Sequence, residues 1–254
     1  MHDFDTLVRN AESLPIEGWS FRAIEGRLES GGPPWNLETI FRATVRPDSR
    51  LLDLGTGGGE YLASLAPLPP TTFATEGYPP NLPVARARLG PLGVRVLPIR
   101  EDQKILLPND SVDLVLCRHE AFDPSEVARV SVPGGTFITQ QVGEENYRKL
   151  HQQFGVPPEE GYNDLETLDS FADEVARAGF SIQSQREAVY PHRFLDVGAV
   201  VYFLRMAPWE VPGFSIIRNR PELLAIDAEI SSTGYWELAA QRMLIVAVRN
   251  EKVA

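Results

Sequence analysis

Short apolar segments alternate with amphipathic segments along most of the chain after Leu51. Strands of this length, separated by helices, are typical of βαβ units, in which a parallel sheet forms. The sequence therefore predicts an α/β fold with a seven-stranded, mostly parallel sheet and helices on both faces. The predicted strands lie near residues 51–55, 72–76, 94–99, 112–117, 135–140, 180–189 and 243–248.

Helical spacing of apolar residues is found before the first strand. Phe21, Ile24 and Leu28 fall on one face of a predicted helix. A second helix is predicted to follow Asn36, because asparagine is a preferred cap at a helix start. Among the later helices, an amphipathic one is predicted to stop at Gly179, since glycine favours the left-handed conformation that often ends a helix.

The first predicted strand runs into a loop rich in glycine, with the sequence LLDLGTGGGE from Leu51 to Glu60. Such a turn needs glycine because it uses positive φ angles, and because a side chain would keep a ligand away from the backbone. Glu76 ends the second strand, 21 residues after Gly55. An acidic residue at this separation can accept hydrogen bonds from a ribose diol, so the pattern indicates a nucleotide-like ligand.

Two other nucleotide-binding patterns are missing. The dinucleotide fingerprint needs a glycine where this chain has Glu60, which disfavours NAD and FAD. A nicotinamide oxidoreductase would become plausible again only if the loop bound a pyrophosphate. The chain also lacks the G-x-x-x-x-G-K-S/T loop, so ATP hydrolysis has no support.

Four segments together resemble class I S-adenosylmethionine-dependent methyltransferases. They are DLGTGGGE, ATEGY, LPNDSVDLVLCRHEAF and VPGGTFITQQ, and the likeness covers roughly residues 45–190. The run CRHEAFDPSEVARV more narrowly resembles the type 11 branch, whose acceptors are largely undefined. The resemblance implies a Rossmann-like methyltransferase fold whose last strand is antiparallel, with S-adenosylmethionine as the cofactor.

The resemblance also implies which residues contact the cofactor. The glycine loop would pack against the methionine part, Glu76 would hold the ribose, and Tyr78 or a neighbour would flank the adenine. Asp102, or Gln103 next to it, would contact the adenine amino group. The full implied set is Asp53, Gly55, Thr56, Gly57, Gly59, Glu76, Gly77, Tyr78, Asp102, Gln103 and Arg118.

Candidate catalytic residues follow the fourth predicted strand. Methyl transfer from a sulfonium is an in-line displacement, so the enzyme must align the acceptor and deprotonate it when it is not already nucleophilic. His119 titrates near neutrality and could be a general base, while Glu120 could orient it or be the base itself. In the alternative interpretation, both residues only fix the loop. Gln140 and Gln141 end the fifth strand, where their amides could face the pocket or bond the neighbouring loop.

The domain prediction follows from length and from the motifs. A chain of 254 residues with 43% apolar content favours a single domain. We expect a methyltransferase domain in four parts, of which the third is an insert or lid before the last strand, since a structured excursion of this length commonly shapes a substrate site. The parts are an N-terminal helical cap (1–47), a cofactor-binding core (48–190), the insert or lid (191–240) and the last strand (241–254).

Charge and composition bear on the partners. The net charge of -11 and the pI of about 4.9 disfavour a large nucleic-acid footprint, so we expect a small-molecule acceptor. One alternative is a ribosomal or transfer RNA methyltransferase of the guanine-N1 type, because the short run from Met206 to Trp209 resembles a segment of such enzymes. The other is a non-catalytic S-adenosylmethionine-binding protein.

The histidines and the single cysteine lack ligand spacing, so no metal is predicted. Without a targeting or membrane-spanning run, the sequence predicts a cytoplasmic protein. It leaves the oligomeric state open between a monomer and a homodimer.

Overall fold

The structure, a computed structural model, describes residues 3–16, 21–99, 104–157 and 167–251. The strands in these residues are β1 (Leu28–Ser30), β2 (Arg50–Leu54), β3 (Thr71–Glu76), β4 (Arg95–Pro98), β5 (Val112–Arg118), β6 (Ser131–Val142), β7 (Phe180–Phe194) and β8 (Trp236–Arg249). The α-helices are α1 (Phe4–Ser13), α2 (Leu37–Thr44), α3 (Glu60–Ser64), α4 (Asn81–Leu89), α5 (Pro124–Val130), α6 (Arg148–Phe154), α7 (Leu168–Arg177), α8 (Val197–Met206) and α9 (Arg220–Thr233).

The strands form one sheet in the order β1-β7-β8-β6-β5-β2-β3-β4. The run from β4 to β6 is parallel throughout, and β8 is antiparallel to β6. The predicted α/β fold with a mostly parallel sheet is therefore confirmed, together with the antiparallel last strand. Each of the seven predicted strands has a counterpart, and β1 brings the number in the described residues to eight.

The strand β1 corrects one prediction. The helix predicted through Phe21, Ile24 and Leu28 is wrong, because Phe21–Ile24 forms only a short 3-10 helix and Leu28–Ser30 pairs antiparallel with β7. Gly26, at φ 72°, has a left-handed backbone that interrupts a right-handed helix at this point. Pairing with a distant strand thus outweighs the helical spacing of three apolar residues, and sequence periodicity carries no information about such pairing.

The other two helix signals are present as predicted. The Asn36 side chain accepts a hydrogen bond from the Thr39 N–H at 2.8 Å and caps α2. The helix α7 ends just before Gly179, which has φ 96°. These signals act locally, within one turn of the helix end, so the sequence alone was enough to find them.

One compact unit comprises Pro34–Gly143, Leu165–Glu187 and Arg242–Ala254. It contains β2 to β6, helices α2 to α5, and α7. Its buried core joins strand residues such as Leu52 and Phe137 to the helix residue Phe171. In parallel sheets of this kind, ligands bind beyond the carboxyl ends of the strands, so this unit supplies the edge at which a site is expected.

The other compact unit comprises Met1–Pro33, Glu144–Asp164 and Ala188–Gln241 and has its own apolar core. Its central helix, α8, is buried on almost every side. Asp196 caps α8 by accepting a hydrogen bond from the Ala199 N–H at 3.0 Å, and the Arg27 guanidinium donates to its two carboxylate oxygens at 2.7 and 2.5 Å. The predicted arrangement of a single domain with a cap and a lid stays a prediction.

Within the described ranges, no helix combines the length and the hydropathy that a membrane span requires.

We expect Asp196→Ala to lower the free energy of unfolding by about 2–3 kcal/mol, because it removes the cap of α8 and leaves the partly buried Arg27 charge without its carboxylate. Urea unfolding followed by circular dichroism measures this change. The control is Glu38→Ala, which breaks an exposed ion pair with Arg42 and should cost less than about 1 kcal/mol. Equal losses in the two variants would contradict the stabilising role of Asp196.

Candidate functional site

The glycine loop, residues 55–59, joins the end of β2 to α3. Gly55, Gly57 and Gly59 all have left-handed backbones, with φ angles of 67°, 61° and 82°. Two hydrogen bonds hold the loop against β3: the Gly55 N–H donates to the Thr75 hydroxyl at 3.1 Å, and the Thr56 N–H donates to the Thr75 carbonyl oxygen at 2.8 Å. The loop is therefore a fixed turn that few residues other than glycine could form.

Two of these glycines also lie too close to their neighbours for any side chain. A Cβ added to Gly55 would come within 2.2 Å of the Glu120 Cγ, and one added to Gly59 would come within 2.7 Å of the Leu89 Cγ. Arg88 on α4 donates to the Gly58 carbonyl oxygen as well, a contact that no sequence motif indicated. Packing as well as backbone angle thus requires glycine at positions 55 and 59.

Glu76 lies at the end of β3, next to the glycine loop, and is only 4% exposed. Burial raises the pKa of its carboxyl, while hydrogen bonds from the N–H groups of Tyr78, Gly57 and Gly77 and from the Asn81 side chain oppose the rise. The Tyr78 N–H donates to the Glu76 Oε1 at 2.6 Å. These bonds hold the carboxyl in one position at the strand end. The Tyr78 side chain, by contrast, is largely exposed.

Asp53, near the end of β2, is a second buried acid of the site. Burial raises its pKa to about 7, and the Thr56 hydroxyl and the positive charge of Arg118 limit the rise. Its carboxyl therefore changes protonation near neutral pH, unlike an exposed aspartate.

Arg118, the last residue of β5, lies over the Tyr61 ring, with 4.5 Å between its Cζ and the ring centroid. Burial raises the pKa of Tyr61 to about 12, so the hydroxyl keeps its proton. Within the part of the chain that the structure describes, this buried hydroxyl has no hydrogen-bond partner. A buried donor of this kind is costly in a folded protein, which makes it a candidate ligand contact.

His119 follows β5 with a left-handed backbone, φ 57°, a strained conformation for a residue with a side chain. Its Nε2 lies 3.1 Å from the Gln140 Nε2, and the Gln140 Oε1 accepts a hydrogen bond from the Trp35 Nε1 at 2.9 Å. Burial lowers the pKa of His119 well below its usual range, and the positive charges of Arg242 and Arg118 lower it further. The imidazole is therefore neutral at neutral pH.

Glu120 packs with its side chain directly against Gly55. Its carbonyl oxygen accepts a hydrogen bond from the Gln141 Nε2 at 3.1 Å, which fixes the turn after β5. Burial raises the pKa of the Glu120 carboxyl to about 7, and the nearby negative charge of Glu76 contributes to the rise. Such a carboxyl can accept or donate a proton near neutral pH.

The structure thus places most predicted site residues at one edge of the sheet, at the carboxyl ends of β2, β3 and β5. Asp102 and Gln103 lie outside the described residues. In the described ranges, no group of three or more histidine, cysteine, aspartate or glutamate side chains could hold a metal ion. Trp35, Tyr61, Thr75 and Arg88 were not among the predicted site residues. Of these, only Thr75 could have been identified from the sequence, because it directly precedes Glu76 on the strand beside the loop.

Residues 52–139 match the family model of a methyltransferase domain. This range contains the glycine loop, Glu76 and Glu120. The match confirms the resemblance to type 11 methyltransferases that the sequence motifs indicated.

Curated relatives include uncharacterised methyltransferases of Mycobacterium tuberculosis and Mycobacterium bovis. They are 36% identical to this chain over 122 residues, which is 46% of this chain and 49% of each relative. The chain therefore spans about half the length of the curated relatives that it matches.

Solved structures of similar fold include a candidate methyltransferase from Bacillus halodurans, with a TM-score of 0.63 and 18% identity over 85% of this chain and 99% of that one. An S-adenosylmethionine-dependent methyltransferase from Mesorhizobium loti has a TM-score of 0.50 and 18% identity, over 83% of this chain and 96% of that one. At this identity the likeness concerns the fold, and it confirms the Rossmann-like methyltransferase fold.

We expect Glu120→Gln to gain stability relative to the unsubstituted protein as the pH rises from about 4.5 to about 7. The pKa of Glu120 is higher in the folded chain than in the unfolded chain, so ionisation in this window favours unfolding, and glutamine has no such charge to bury. Thermal unfolding across the window measures the difference. Glu174→Gln, on the exposed face of α7, is the control and should follow the unsubstituted protein. A stability difference for Glu120→Gln that does not vary with pH would contradict the raised pKa.

Proposed function

We propose that this chain is an S-adenosylmethionine-dependent methyltransferase that acts on a small-molecule acceptor. The observation that carries the proposal is the meeting of the glycine loop, the buried Glu76 and the Glu120 carboxyl at one edge of the sheet. All three lie inside the range that matches the methyltransferase domain. A turn with bare backbone beside an acid on the next strand suits a ligand that carries a ribose.

The residues present fit S-adenosylmethionine. The three left-handed glycines place no side chain of their own between the loop backbone and a ligand, and the buried Tyr61 hydroxyl, without a partner in the described residues, offers a hydrogen bond. The acids Asp53, Glu76 and Glu120 favour a ligand with positive charge. When bound, S-adenosylmethionine would supply an electrophilic methyl group on a positively charged sulfur.

In this proposal each part of the site has a separate task. The glycine loop with Asp53 and Thr56 would bind the methionine part, and Arg118 would pair with a ligand carboxylate. Glu76 would hold the ribose. The residues assigned to the adenine end are Gly77, Tyr78, Asp102 and Gln103.

Of the two candidate catalytic residues, Glu120 is better suited to remove a proton from the acceptor. A general base works best when its pKa lies near the working pH, and burial together with Glu76 raises the pKa of Glu120 to about 7. The pKa of His119 is lowered, and its Nε2 already faces the Gln140 amide. The side chain of Glu120 would have to move away from Gly55 for a ligand to reach the loop backbone there.

We expect S-adenosylmethionine and S-adenosylhomocysteine to bind with roughly micromolar Kd in calorimetry, and NAD not to bind. Glu76→Gln should weaken both adenosyl ligands by about 10- to 100-fold, because a hydrogen bond to a charged group contributes about 1.5–3 kcal/mol. Glu174→Gln, which changes the same net charge at an exposed position, is the matched control and should leave Kd unchanged. Binding of NAD, or no binding of either adenosyl ligand, would overturn the proposal.

We expect turnover to rise with pH and to level off above about 7, the pKa of Glu120, because only the ionised carboxylate can accept a proton. The substrate for this measurement is found by screening candidate acceptors for those that cause release of S-adenosylhomocysteine. Glu120→Gln should lower kcat by about 10²- to 10⁴-fold and remove the rise, while calorimetry still detects the cofactor. Full activity of Glu120→Gln would exclude Glu120 as the base. Cofactor binding without transfer to any acceptor would instead favour a non-catalytic binding protein.

A further inference from the structure

Three side chains form a hydrogen-bonded chain that ends at His119, the residue after β5. The Trp35 Nε1 lies 2.9 Å from the Gln140 Oε1, and the Gln140 Nε2 lies 3.1 Å from the His119 Nε2. Trp35 and Gln140 are buried, so water does not readily replace these contacts. The His119 N–H also donates to the Gln140 carbonyl oxygen at 2.8 Å. The two residues are therefore held together by backbone as well as side chain.

The chemistry of the three groups decides the direction of each hydrogen bond. An indole nitrogen can only donate, so the Gln140 amide must present its oxygen to Trp35. Its NH₂ group, which also only donates, then faces His119. The His119 Nε2 must therefore accept, and a neutral imidazole with an accepting Nε2 carries its proton on Nδ1.

The same argument explains why protonation of His119 is energetically unfavourable. In the imidazolium form both ring nitrogens are donors, so Nε2 would confront the Gln140 NH₂ group. Rotating the amide would only move the conflict, because the NH₂ group would then face the Trp35 N–H. Either orientation of the amide leaves two donors opposed, and one hydrogen bond is lost.

We propose that Trp35 and Gln140 are positioning residues that hold the His119 imidazole neutral with its proton on Nδ1, so that His119 cannot act as a general base. In this tautomer His119 could take a proton from an acceptor only at Nε2, and the Gln140 amide already occupies Nε2. The consequence for catalysis, that His119 is not the base, rests on the proposed methyltransferase function. The position of the proton does not.

The charged groups around His119 act in the same direction. Arg118, the preceding residue at the end of β5, and Arg242 on β8 both disfavour a positive imidazole, and burial disfavours it most. The acid next in sequence, Glu120, packs against Gly55. The side-chain relay determines which nitrogen holds the proton, a choice that burial and distant charges leave open.

The test uses ¹⁵N-labelled histidine and long-range ¹H–¹⁵N correlation spectra, which distinguish the two neutral tautomers and the imidazolium. We expect His119 in the unsubstituted protein to show the Nδ1–H tautomer alone and to stay neutral across the neutral pH range. Trp35→Phe frees the amide to rotate and should give a mixture of tautomers. Gln140→Glu should reverse the result, because a carboxylate accepts from both sides and favours Nε2–H.

The controls separate the relay from a general loss of structure. His119→Asn assigns the signal, and circular dichroism establishes that each variant folds. His151, whose Nε2 lies 2.9 Å from the Glu210 carboxylate, is an internal reference whose signal should not change. If Gln140→Glu does not fold, Trp35→Phe and Gln140→Met each provide the same test, since both should lose the single-tautomer pattern.

Two outcomes would overturn the inference. One is an Nε2–H tautomer in the unsubstituted protein, and the other is an unchanged pattern in a folded Gln140→Glu or Trp35→Phe variant. The spectra need no cofactor, so they are independent of the calorimetry. Failure to bind S-adenosylmethionine would remove the methyltransferase proposal and leave the tautomer intact, whereas a different tautomer with intact binding would remove only this inference.

Discussion

Because β2 pairs in parallel with β3 on one side and with β5 on the other, three chain segments leave the sheet at the same edge. The glycine loop follows β2, Glu76 ends β3, and the turn from His119 to Glu120 follows β5. The contacts described for the site depend on this pairing, from the Thr75 bonds that hold the loop to the packing of Glu120 against Gly55. A one-residue slip in either ladder would turn these side chains to the opposite face of the sheet.

The pairing also brings three carboxyl groups to the same edge of the sheet. The carboxyls of Asp53, Glu76 and Glu120 lie in partly or fully buried positions, and burial raises the pKa of each. Acids with shifted pKa values cluster at functional sites, where binding or catalysis offsets the free-energy cost of burying them. A positively charged ligand would relieve that cost, which supports the proposal of a sulfonium cofactor at this edge.

The relay from Trp35 to His119 shows how a neutral residue can control an ionisable one. Gln140 carries no charge, yet its amide joins a group that can only donate to a ring that can do either. The two neighbouring residues therefore differ: the accepting nitrogen of His119 is already occupied, whereas Glu120 remains able to take up a proton. The difference follows from hydrogen-bond direction and burial.

The sequence by itself determined the fold class, the glycine loop and the position of Glu76 at the end of a strand. These features depend on local requirements: the period of buried residues, positive φ angles in a tight turn, and the position of a residue at a strand end. The tertiary structure decided the remaining features, which include the strand β1, the raised pKa of Glu120, and the contacts of Trp35, Tyr61 and Arg88. Each of these depends on a partner far along the chain, and neither residue type nor spacing reveals which distant groups share a buried space.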